Sequence, residues 1–541
     1  MKKILNTTLA LLLIYLFGYL IWESKGDKLL AYSENLYSKI KIFTSILETI
    51  QRVYIEEKEP DELVEDAIKG MISELDPHTS YLSAEDFKEW NQNFEGYSGI
   101  GLSFDIIRKK ITVMSVIESG PAAKVGIHQG DKIVEIEGQS VIGIKRDEAS
   151  KKLMGAVGSS VKINVQRDGW TKPKEFVIIR DRIILHSIPQ TLMIQPGIGY
   201  IKIERFTATT STELEQALNL LKSKGMNKLI LDLRGNSGGY LNAAIEVTDK
   251  FIPGGQKIVY TKGRLSSTYQ EYYATSEPTY PLIPLIVLID HGSASASEIV
   301  AGAIQDLDRG LLVGKTSFGK GLVQSQYRFH DGSALLITTA KYYTPSGRPI
   351  QRDYFAKSKD EYYREAYNDQ LRNIENNIKE KPAYQTRSGR LVYGDGGITP
   401  DIWIESEENI LSENLRKLYF SNHRPFYTFA EDLVKKNPYI KSNMIDFINH
   451  FVVTDKMYND FISAVKKTDL DFHKINFTKD KNNIKFLIKR ELAYLLWGRE
   501  ARFRVNILRD TQLQEAMKYF PKANDLLTMA HLIGSINKRK N

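Results

Sequence analysis

Two continuous apolar runs constrain the fold of this chain more than any other feature. Residues 229–233 are Leu-Ile-Leu-Asp-Leu, and residues 285–289 are Leu-Ile-Val-Leu-Ile. A strand that is apolar at nearly every position is buried on both faces, as in a sheet covered by helices. Because strand and helix patterns alternate from Gly199 to Tyr343, we predict a βα-layered core for this region.

The sequence pattern changes on both sides of this core. From Tyr32 to Trp90 the apolar spacing is helical, and one helix is predicted from Pro60 to Leu75, where Asp76-Pro77 prevents continuation. Short strands separated by Gly-Asp and Asp-Gly turns follow, whereas residues 353–390 are polar and indicate an exposed insertion. The fold class is therefore α+β and multidomain. The predicted divisions are a helical region at 32–95, a strand-rich domain at 96–182, the layered core at 183–404 and a helical extension at 405–541.

The amino-terminal sequence indicates a membrane-targeting segment. Lys2 and Lys3 precede an apolar stretch that ends at Trp22 without the small residues of a cleavage site. We predict an uncleaved signal anchor at residues 1–24, with the body of the chain outside the cytoplasmic membrane in the cell envelope. Cysteine is absent, which excludes disulfides, thiolate zinc sites and a cysteine nucleophile.

A serine-rich turn follows the second apolar run and opens a helical pattern. Residues 292–298 are Gly-Ser-Ala-Ser-Ala-Ser-Glu, and apolar residues then recur at helical spacing from Ile299 to Leu307. A serine at such a strand-to-helix turn projects its hydroxyl, while the first helical N–H groups stay unpaired and suit a developing oxyanion. Serine-rich helix starts are also common caps, so this turn alone does not establish catalysis.

A lysine in a glycine-rich segment is the candidate base. Residues 318–324 are Phe-Gly-Lys-Gly-Leu-Val-Gln, so Lys320 is flanked by glycines in an apolar context. Desolvation lowers the pKa of a lysine toward neutrality, and Gln324 can orient the amine by a hydrogen bond. Residues 232–239, Asp-Leu-Arg-Gly-Asn-Ser-Gly-Gly, follow the first apolar run, and their paired glycines can aim a backbone N–H into a cleft.

In this order, the three segments resemble the carboxyl-terminal processing (tail-specific) peptidases. Residues 75–82 and 342–348 resemble further motifs of that family, and the similarity extends from Ile40 to Gln351 and resumes at residues 397–401. The resemblance implies a crotonase/ClpP-like serine peptidase core. No cofactor or metal is predicted, since no paired histidines sit at ligand spacing and cysteine is absent. The resemblance also implies Ser295 as nucleophile, Lys320 as general base 25 positions later and Gln324 as its support. The implied oxyanion donors are the N–H of Ala296 and that of Gly238 or Gly239.

A second glycine loop resembles the carboxylate-binding loop of PDZ domains. It runs from Ser98 to Phe104, and residues 119–138 add two further PDZ-like strings. N–H groups of such a loop hold a free carboxylate, while the adjacent strand pairs with an extended peptide. The predicted tail-binding residues are Gly99, Ile100, Gly101, Leu102 and Phe104, with a helix from about Arg146 to Met154 as the opposite wall. The implied partners are protein substrates with free carboxyl termini.

Other interpretations stay open at this point. An inactive PDZ scaffold and a Ser-His-Asp hydrolase with His291 or His330 as base are two of them. Residues 314–320 also satisfy the Gly-x-x-x-x-Gly-Lys core of a phosphate-binding loop, although Gly321 follows where Ser or Thr is required. The basic residues are scattered without a recognition motif, so no nucleic-acid partner is predicted. The carboxyl-terminal helices suit ordinary packing or a homo-oligomer contact.

Overall fold

A computed structural model describes residues 35–117, 119–275, 283–368, 381–405, 411–437, 440, 443–468 and 476–529. The predicted signal anchor at residues 1–24 lies outside this part of the chain. Among the described residues, no helix is both long and apolar enough to cross a bilayer. The structure has two compact units, one ending at Tyr81 and the other beginning at Leu82.

The first unit is helical, as the sequence predicts. It contains α1 at residues 35–53 and α2 at Pro60–Ser73, which begins with proline and two acidic residues. Helix α2 ends two residues before the predicted Leu75. Just beyond it, the Asp76 carboxylate accepts hydrogen bonds from the N–H groups of His78 and Thr79 and from the Thr79 hydroxyl. This side chain therefore stabilises the turn that follows the helix, where Pro77 prevents its continuation.

The second unit starts with α3 and the predicted PDZ domain. Strand β1 (Ser80–Leu82) contains the division between the two units, and α3 is Ala84–Glu95. Strand β2 (Tyr97–Gly99) enters the domain and pairs antiparallel with β9 (Asp181–Ile183), which leaves it. The elements between them are β3 (Leu102–Ile107), β4 (Lys110–Val116), α4 (Pro121–Lys124), β5 (Lys132–Ile136), β6 (Gln139–Ser140), α5 (Arg146–Leu153), β7 (Ser160–Gln166) and β8 (Lys174–Ile179). They form an antiparallel sheet of order β3-β4-β5-β7-β8, with β6 beside β5.

The layered core follows and confirms the alternating pattern. Its first elements are β10 (Gln190–Gln195), β11 (Ile198–Lys202), α6 (Thr210–Ser223), β12 (Lys228–Asp232), α7 (Leu241–Asp249), β13 (Lys257–Gly263) and β14 (Gln270–Tyr273). The remaining ones are β15 (Leu285–Ile289), α8 (Ala296–Asp306), β16 (Leu311–Gly314), β17 (Leu322–Arg328), β18 (Ala334–Tyr343), α9 (Lys359–Ala366), β19 (Ala383–Gln385), β20 (Leu391–Tyr393) and β21 (Ile402–Trp403). The main sheet has the order β10-β11-β12-β15-β16-β21 and is parallel except for β10.

Strands β12 and β15 lie at the centre of the main sheet and are buried on both faces. Leu229, Leu231 and Val287 point into a core formed with α6, α7 and α8. Ile230 and Ile286 point to the opposite face. The carboxyl-terminal extension covers that face with four buried side chains, those of Leu513, Ala516, Phe520 and Ala523. The apolar runs thus arise because a helical layer covers each side of the sheet.

A smaller antiparallel sheet packs on the side of the main sheet that α6, α7 and α8 cover. It contains β14, β13, β18 and β17 in that order. Strand β17 directly follows the segment that contains Lys320, where a phosphate-binding loop would require a helix. The nucleotide-binding alternative therefore lacks its structural context.

The carboxyl-terminal extension is helical and contacts two other parts of the second unit. Its helices include α10 (Glu413–Phe420), α11 (Pro425–Lys436), α12 (Met444–His450), α13 (Asp455–Val465), α14 (Lys481–Ile507, with a kink at Gly498) and α15 (Thr511–Ala516), and residues 520–529 are also helical. Ion pairs join α11 to the PDZ domain, with Lys132 Nζ 2.9 Å from Glu431 Oε1 and Arg108 Nη2 2.8 Å from Asp432 Oδ2. Helix α15 lies against the main sheet, so the extension is a structural layer of this unit.

Candidate active site

Ser295 occupies a strained turn between β15 and α8. It is the N-cap residue of α8, and its φ of 55° and ψ of −113° are rare for a residue with a side chain. Helix α8 begins at Ala296, so the first helical N–H groups lie beside this serine. The structure therefore places Ser295 where the sequence predicts it, at the start of a buried helix.

The Glu298 carboxylate joins the Ser295 turn to the segment that carries Lys320. Glu298 is fully buried, and its Oε2 accepts hydrogen bonds from the N–H groups of both Ser295 and Lys320, each at 2.8 Å. Its Oε1 accepts from the Ser317 hydroxyl at 2.5 Å and from the Gly319 N–H at 2.7 Å. Burial raises the pKa of Glu298, whereas these four donors favour the ionised form and oppose that rise. One side chain thus fixes two distant segments relative to each other.

Tyr342 of β18 forms a second bridge between the same two segments. Its hydroxyl donates to the carbonyl oxygens of Ser295, at 3.1 Å, and of Lys320. Burial raises the pKa of Tyr342 well above its usual value, so the hydroxyl stays a donor. The backbones on both sides of the candidate site are therefore held by a carboxylate and by a phenol.

Lys320 and Gln324 meet as the sequence predicts. The Lys320 amine donates to Gln324 Oε1 at 2.6 Å, and Gln324 lies at the start of β17. The pairing of β17 with β18 shifts register between Val323 and Gln324. Such an irregularity redirects a side chain next to a site.

The Gly238-Gly239 turn lies directly against Ser295. A Cβ atom on Gly238 would lie 2.8 Å from Ser295 Cβ, and one on Gly239 would lie 2.0 Å from the Phe206 carbonyl oxygen. Both glycines have positive φ, at 105° and 146°, so the turn requires glycine at each position. The Gly238 N–H donates to Asn236 Oδ1 at 2.8 Å, whereas the Gly239 N–H makes no hydrogen bond within the described residues.

These groups surround one cavity of about 520 Å³. It is lined by Ser295, Ala296, Gly238, Gly239, Lys320 and Gln324, together with Tyr342. Apolar walls complete it, and Trp90 and Phe94 of α3 are part of them, with Phe94 stacked on Tyr240 at 5.5 Å. The structure thus brings all the predicted catalytic and oxyanion residues to a single cavity.

Part of the 353–390 segment supports the lysine side of the cavity and is not an exposed insertion. Tyr362 of α9 is fully buried and packs edge-to-face on Phe318, with ring centroids 5.9 Å apart. The Arg352 guanidinium lies 4.1 Å from the Tyr362 ring centre, and Gln351 Oε1 accepts the N–H of Gly321. Aromatic residues in α9 therefore bury a polar segment that its composition alone marks as solvated.

A second, smaller cavity of about 250 Å³ lies in the PDZ domain. Its lining includes all five predicted tail-binding residues: Gly99, Ile100, Gly101, Leu102 and Phe104. Leu153 of α5 and Met154 form the opposite wall, which agrees with the predicted groove helix. Gln92 of α3 also lines this groove, so one helix contributes to both cavities.

The two candidate histidines are not among the residues that line the catalytic cavity. His291 Nδ1 lies 2.8 Å from the Thr316 carbonyl oxygen, which can only accept, so this nitrogen is the protonated one. His330 is exposed between β17 and β18. The geometry therefore favours Lys320 over either histidine as the base near Ser295.

The site also contains residues that sequence reasoning missed. Glu298 had a detectable signal, because Ser295-x-x-Glu298 has the spacing of a capping box. Tyr342 had no sequence signal beyond its place in the motif at residues 342–348. Trp90 and Phe94 follow helical spacing, as ordinary core residues do. Their contribution depends on contacts between distant parts of the chain.

Comparisons with protein families agree with this architecture. Residues 197–357 match peptidase family S41 and residues 98–175 match a PDZ domain. Residues 23–86 match the activating protease CtpB N-terminal domain, and residues 418–498 match a family of unknown function. The fold and the cavity thus define a PDZ-containing peptidase of family S41.

Relatives of similar sequence show which group of S41 peptidases this chain belongs to. The carboxy-terminal-processing protease of Bartonella bacilliformis is 38% identical over 323 residues, which cover 59% of this chain and 74% of that protein. The carboxy-terminal processing protease CtpB of Bacillus subtilis is 34% identical over 61% of this chain and 67% of its own length. A solved photosystem II D1 C-terminal processing protease covers 70% of this chain and 97% of its own, with 24% identity and a TM-score of 0.35. This chain belongs to the family of carboxy-terminal processing serine proteases.

Replacing Glu298 by glutamine tests its bridging role. A glutamine side chain has one acceptor oxygen, so at least one pair of buried donors loses its partner, at a cost of about 1–3 kcal/mol per group. We expect Glu298→Gln to lower the free energy of unfolding by that order in urea titration. We also expect kcat to fall about 100-fold, since misplacing reacting groups by about 1 Å has an effect of this size. Glu500→Gln, at an exposed position of α14, is the matched control; equal behaviour of the two variants would contradict the role.

Proposed function

We propose that this chain is a serine endopeptidase that cuts protein substrates near their carboxyl termini, with Ser295 as nucleophile and Lys320 as general base. The observation that carries the proposal is the shared Glu298 Oε2, which accepts the backbone N–H groups of Ser295 and Lys320 at the edge of one cavity. Gln324 orients the lysine amine through their 2.6 Å hydrogen bond. We assign the chemistry to the predicted domain at residues 183–404 and substrate selection to the predicted domain at residues 96–182.

In the proposed mechanism, the neutral Lys320 amine takes the Ser295 hydroxyl proton as the serine oxygen attacks the scissile carbonyl carbon. The carbonyl π electrons move to oxygen and form the oxyanion. When the tetrahedral intermediate collapses, the carbon–nitrogen bond breaks and the Lys320 ammonium protonates the leaving amine. Water then attacks the acyl-enzyme with the same lysine as base, which regenerates Ser295 and releases the new carboxylate.

The oxyanion needs donors that are already in place before the reaction. We assign this role to the N–H groups of Ala296, at the first turn of α8, and of Gly239. Gly238 is less suited as a donor because its N–H already binds Asn236 Oδ1. Its role is to leave space, since any Cβ atom there would collide with Ser295.

The PDZ groove is proposed to hold the substrate's last residues. The Gly99–Leu102 loop offers backbone N–H groups to the terminal carboxylate, and strand β3 offers an edge to the peptide. Leu102, Phe104, Leu153 and Met154 give the groove an apolar lining, so an apolar terminal side chain is favoured. The chain behind the captured tail would then reach the catalytic cavity.

The two lysines and the apolar stretch at the amino terminus support a location at the cytoplasmic membrane, with the peptidase on its outer side. The full chain should then sediment with membranes in alkaline carbonate and be released by detergent. A chain starting at residue 25 should stay in the supernatant. Carbonate release of the full chain would contradict the anchor. Assembly into a homo-oligomer stays a prediction.

Variants of the proposed catalytic pair test the chemistry. With an unstructured protein that ends in an apolar residue as substrate, we expect Ser295→Ala and Lys320→Ala to lose at least about 1,000-fold in kcat while remaining folded. Lys262→Ala, at an exposed position of β13, should cleave like the wild type. Full activity of Lys320→Ala would show that the base is misassigned. No cleavage by the wild type with several tails would favour the scaffold alternative.

Two glycines of the PDZ domain form a matched pair for testing tail recognition. Gly101 and Gly130 both have positive φ, at 76° and 87°. A Cβ atom on Gly101 would lie 3.1–3.3 Å from Ile183, Gly120 and Pro121, whereas one on Gly130 meets nothing within 4 Å. Both alanine variants carry backbone strain, but only Gly101→Ala also distorts the carboxylate loop.

We expect Gly101→Ala to raise KM for a tailed substrate about tenfold, and Gly130→Ala to leave it near the wild-type value. A carboxyl-terminally amidated substrate should reproduce the Gly101→Ala effect in the wild-type enzyme, because amidation removes the recognised charge. Equal KM values for free and amidated tails would contradict carboxylate recognition by the groove.

A further inference from the structure

The loop that carries the Gly238-Gly239 turn is attached to the carboxyl-terminal extension through Arg234. The Arg234 guanidinium makes a bidentate pair with Asp510, with Nη2 2.7 Å from Oδ2 and Nη1 3.0 Å from Oδ1. Nη1 also donates to Gln512 Oε1 at 3.0 Å. Asp510 is the N-cap residue of α15 and Gln512 lies in its first turn, so both contacts come from the carboxyl-terminal extension.

The peptidase core holds the same loop at other points. Lys202 Nζ donates to the Arg234 carbonyl at 2.8 Å, and Asp290 Oδ1 accepts the Gly235 N–H at 2.8 Å. The Asn236 amide donates to the Ile203 carbonyl at 2.9 Å. These contacts hold the backbone of the loop, whereas Asp510 and Gln512 hold the Arg234 side chain on the face of the sheet where the extension packs.

The Asp510 carboxylate balances the positive charge of the cluster around Arg234. Lys202 and Arg234 share the buried Asp232, whose carboxylate lies 2.7 Å from Arg234 Nη2 and 3.8 Å from Lys202 Nζ. Burial alone would raise the pKa of Asp232, but Arg234 and Lys202 hold it well below its usual range. Two positive groups thus face one carboxylate of the core, and Asp510 supplies the second negative charge. Without it, the cluster carries an excess positive charge in a largely buried place.

We propose that Asp510 and Gln512 are positioning residues of the peptidase, which fix Arg234 and thereby the loop that presents the Gly239 N–H to the oxyanion. This inference rests on the proposed function, because it concerns the donors assigned there. Under it, the carboxyl-terminal extension completes the active site from the far side of the sheet without touching the substrate.

Asp510→Asn removes the negative charge at this position and keeps the helix cap. Asparagine caps a helix as well as aspartate does, so the cap contact with the Leu513 N–H is kept. Arg234 retains its pair with Asp232, so the loop stays attached to the core. Asp455→Asn is the matched control, since Asp455 lies at the start of α13 in the same extension and pairs only with exposed or half-buried lysines among the described residues.

The test measures kcat, KM and the affinity for a peptide aldehyde in these variants. The aldehyde carbon bonds to the Ser295 oxygen, the serine proton leaves to the base, and the carbonyl oxygen becomes an oxyanion analogue. We expect Asp510→Asn to lower kcat and aldehyde affinity together by about 10- to 100-fold, with KM little changed. Asp510→Glu should restore part of both, and Asp455→Asn should match the wild type.

Two results would overturn the inference. One is kcat and aldehyde affinity of Asp510→Asn equal to those of Asp455→Asn. The other is a loss of kcat matched by an equal loss of folded protein, counted by the stoichiometry of aldehyde binding, with unchanged affinity per site. Ser295→Ala in the same assay keeps the two proposals apart: an inactive Ser295→Ala beside a fully active Asp510→Asn would reject the positioning role alone.

Discussion

The buried carboxylate of Glu298 is the interaction on which the arrangement of this site depends. A serine turn after β15 and a glycine-rich segment before β17 are brought together by two oxygens that accept four hydrogen bonds. A buried carboxylate is costly unless its hydrogen-bonding capacity is used, and here every contributed donor comes from one of the two segments that must be aligned. Burying the Glu298 carboxylate is therefore favourable only when both segments are in place, and this requirement fixes the geometry of the cavity. Tyr342 adds a neutral bridge between the same backbones.

The main sheet explains why the rest of the second unit is organised around this site. Its central strands are buried on both faces, so a layer is needed on each side. Helices α6, α7 and α8 form one layer, and α8 carries Ser295 at its start. The carboxyl-terminal extension forms the other layer and also makes ion pairs with the PDZ domain. Packing on the two faces of the sheet and these ion pairs therefore connect the PDZ domain, the extension and the loops around the cavity.

Much of this architecture was predictable because it depends on local pattern. The runs at residues 229–233 and 285–289 marked the central strands, and the serine-rich turn marked the start of α8. Resemblance to a family supplied Ser295, Lys320 and Gln324, which the structure places around one cavity. Glu298 was missed because its spacing also fits an ordinary capping box, which explains the residue without any catalytic purpose. Tyr362 and Asp510 were not predictable. Their effects arise from contacts between segments that are distant in sequence, and composition does not reveal such contacts.

Covalent labelling of serine measures both which serine is the nucleophile and whether Lys320 activates it. A fluorophosphonate transfers its phosphonyl group to an activated serine oxygen and releases fluoride, and mass spectrometry of the digested protein locates the label. We predict labelling at Ser295 in the wild type and a labelling rate reduced by orders of magnitude in Lys320→Ala, because the serine oxygen then lacks its proposed base. Labelling of Lys320→Ala at the wild-type rate, or labelling confined to a different serine, would contradict this prediction.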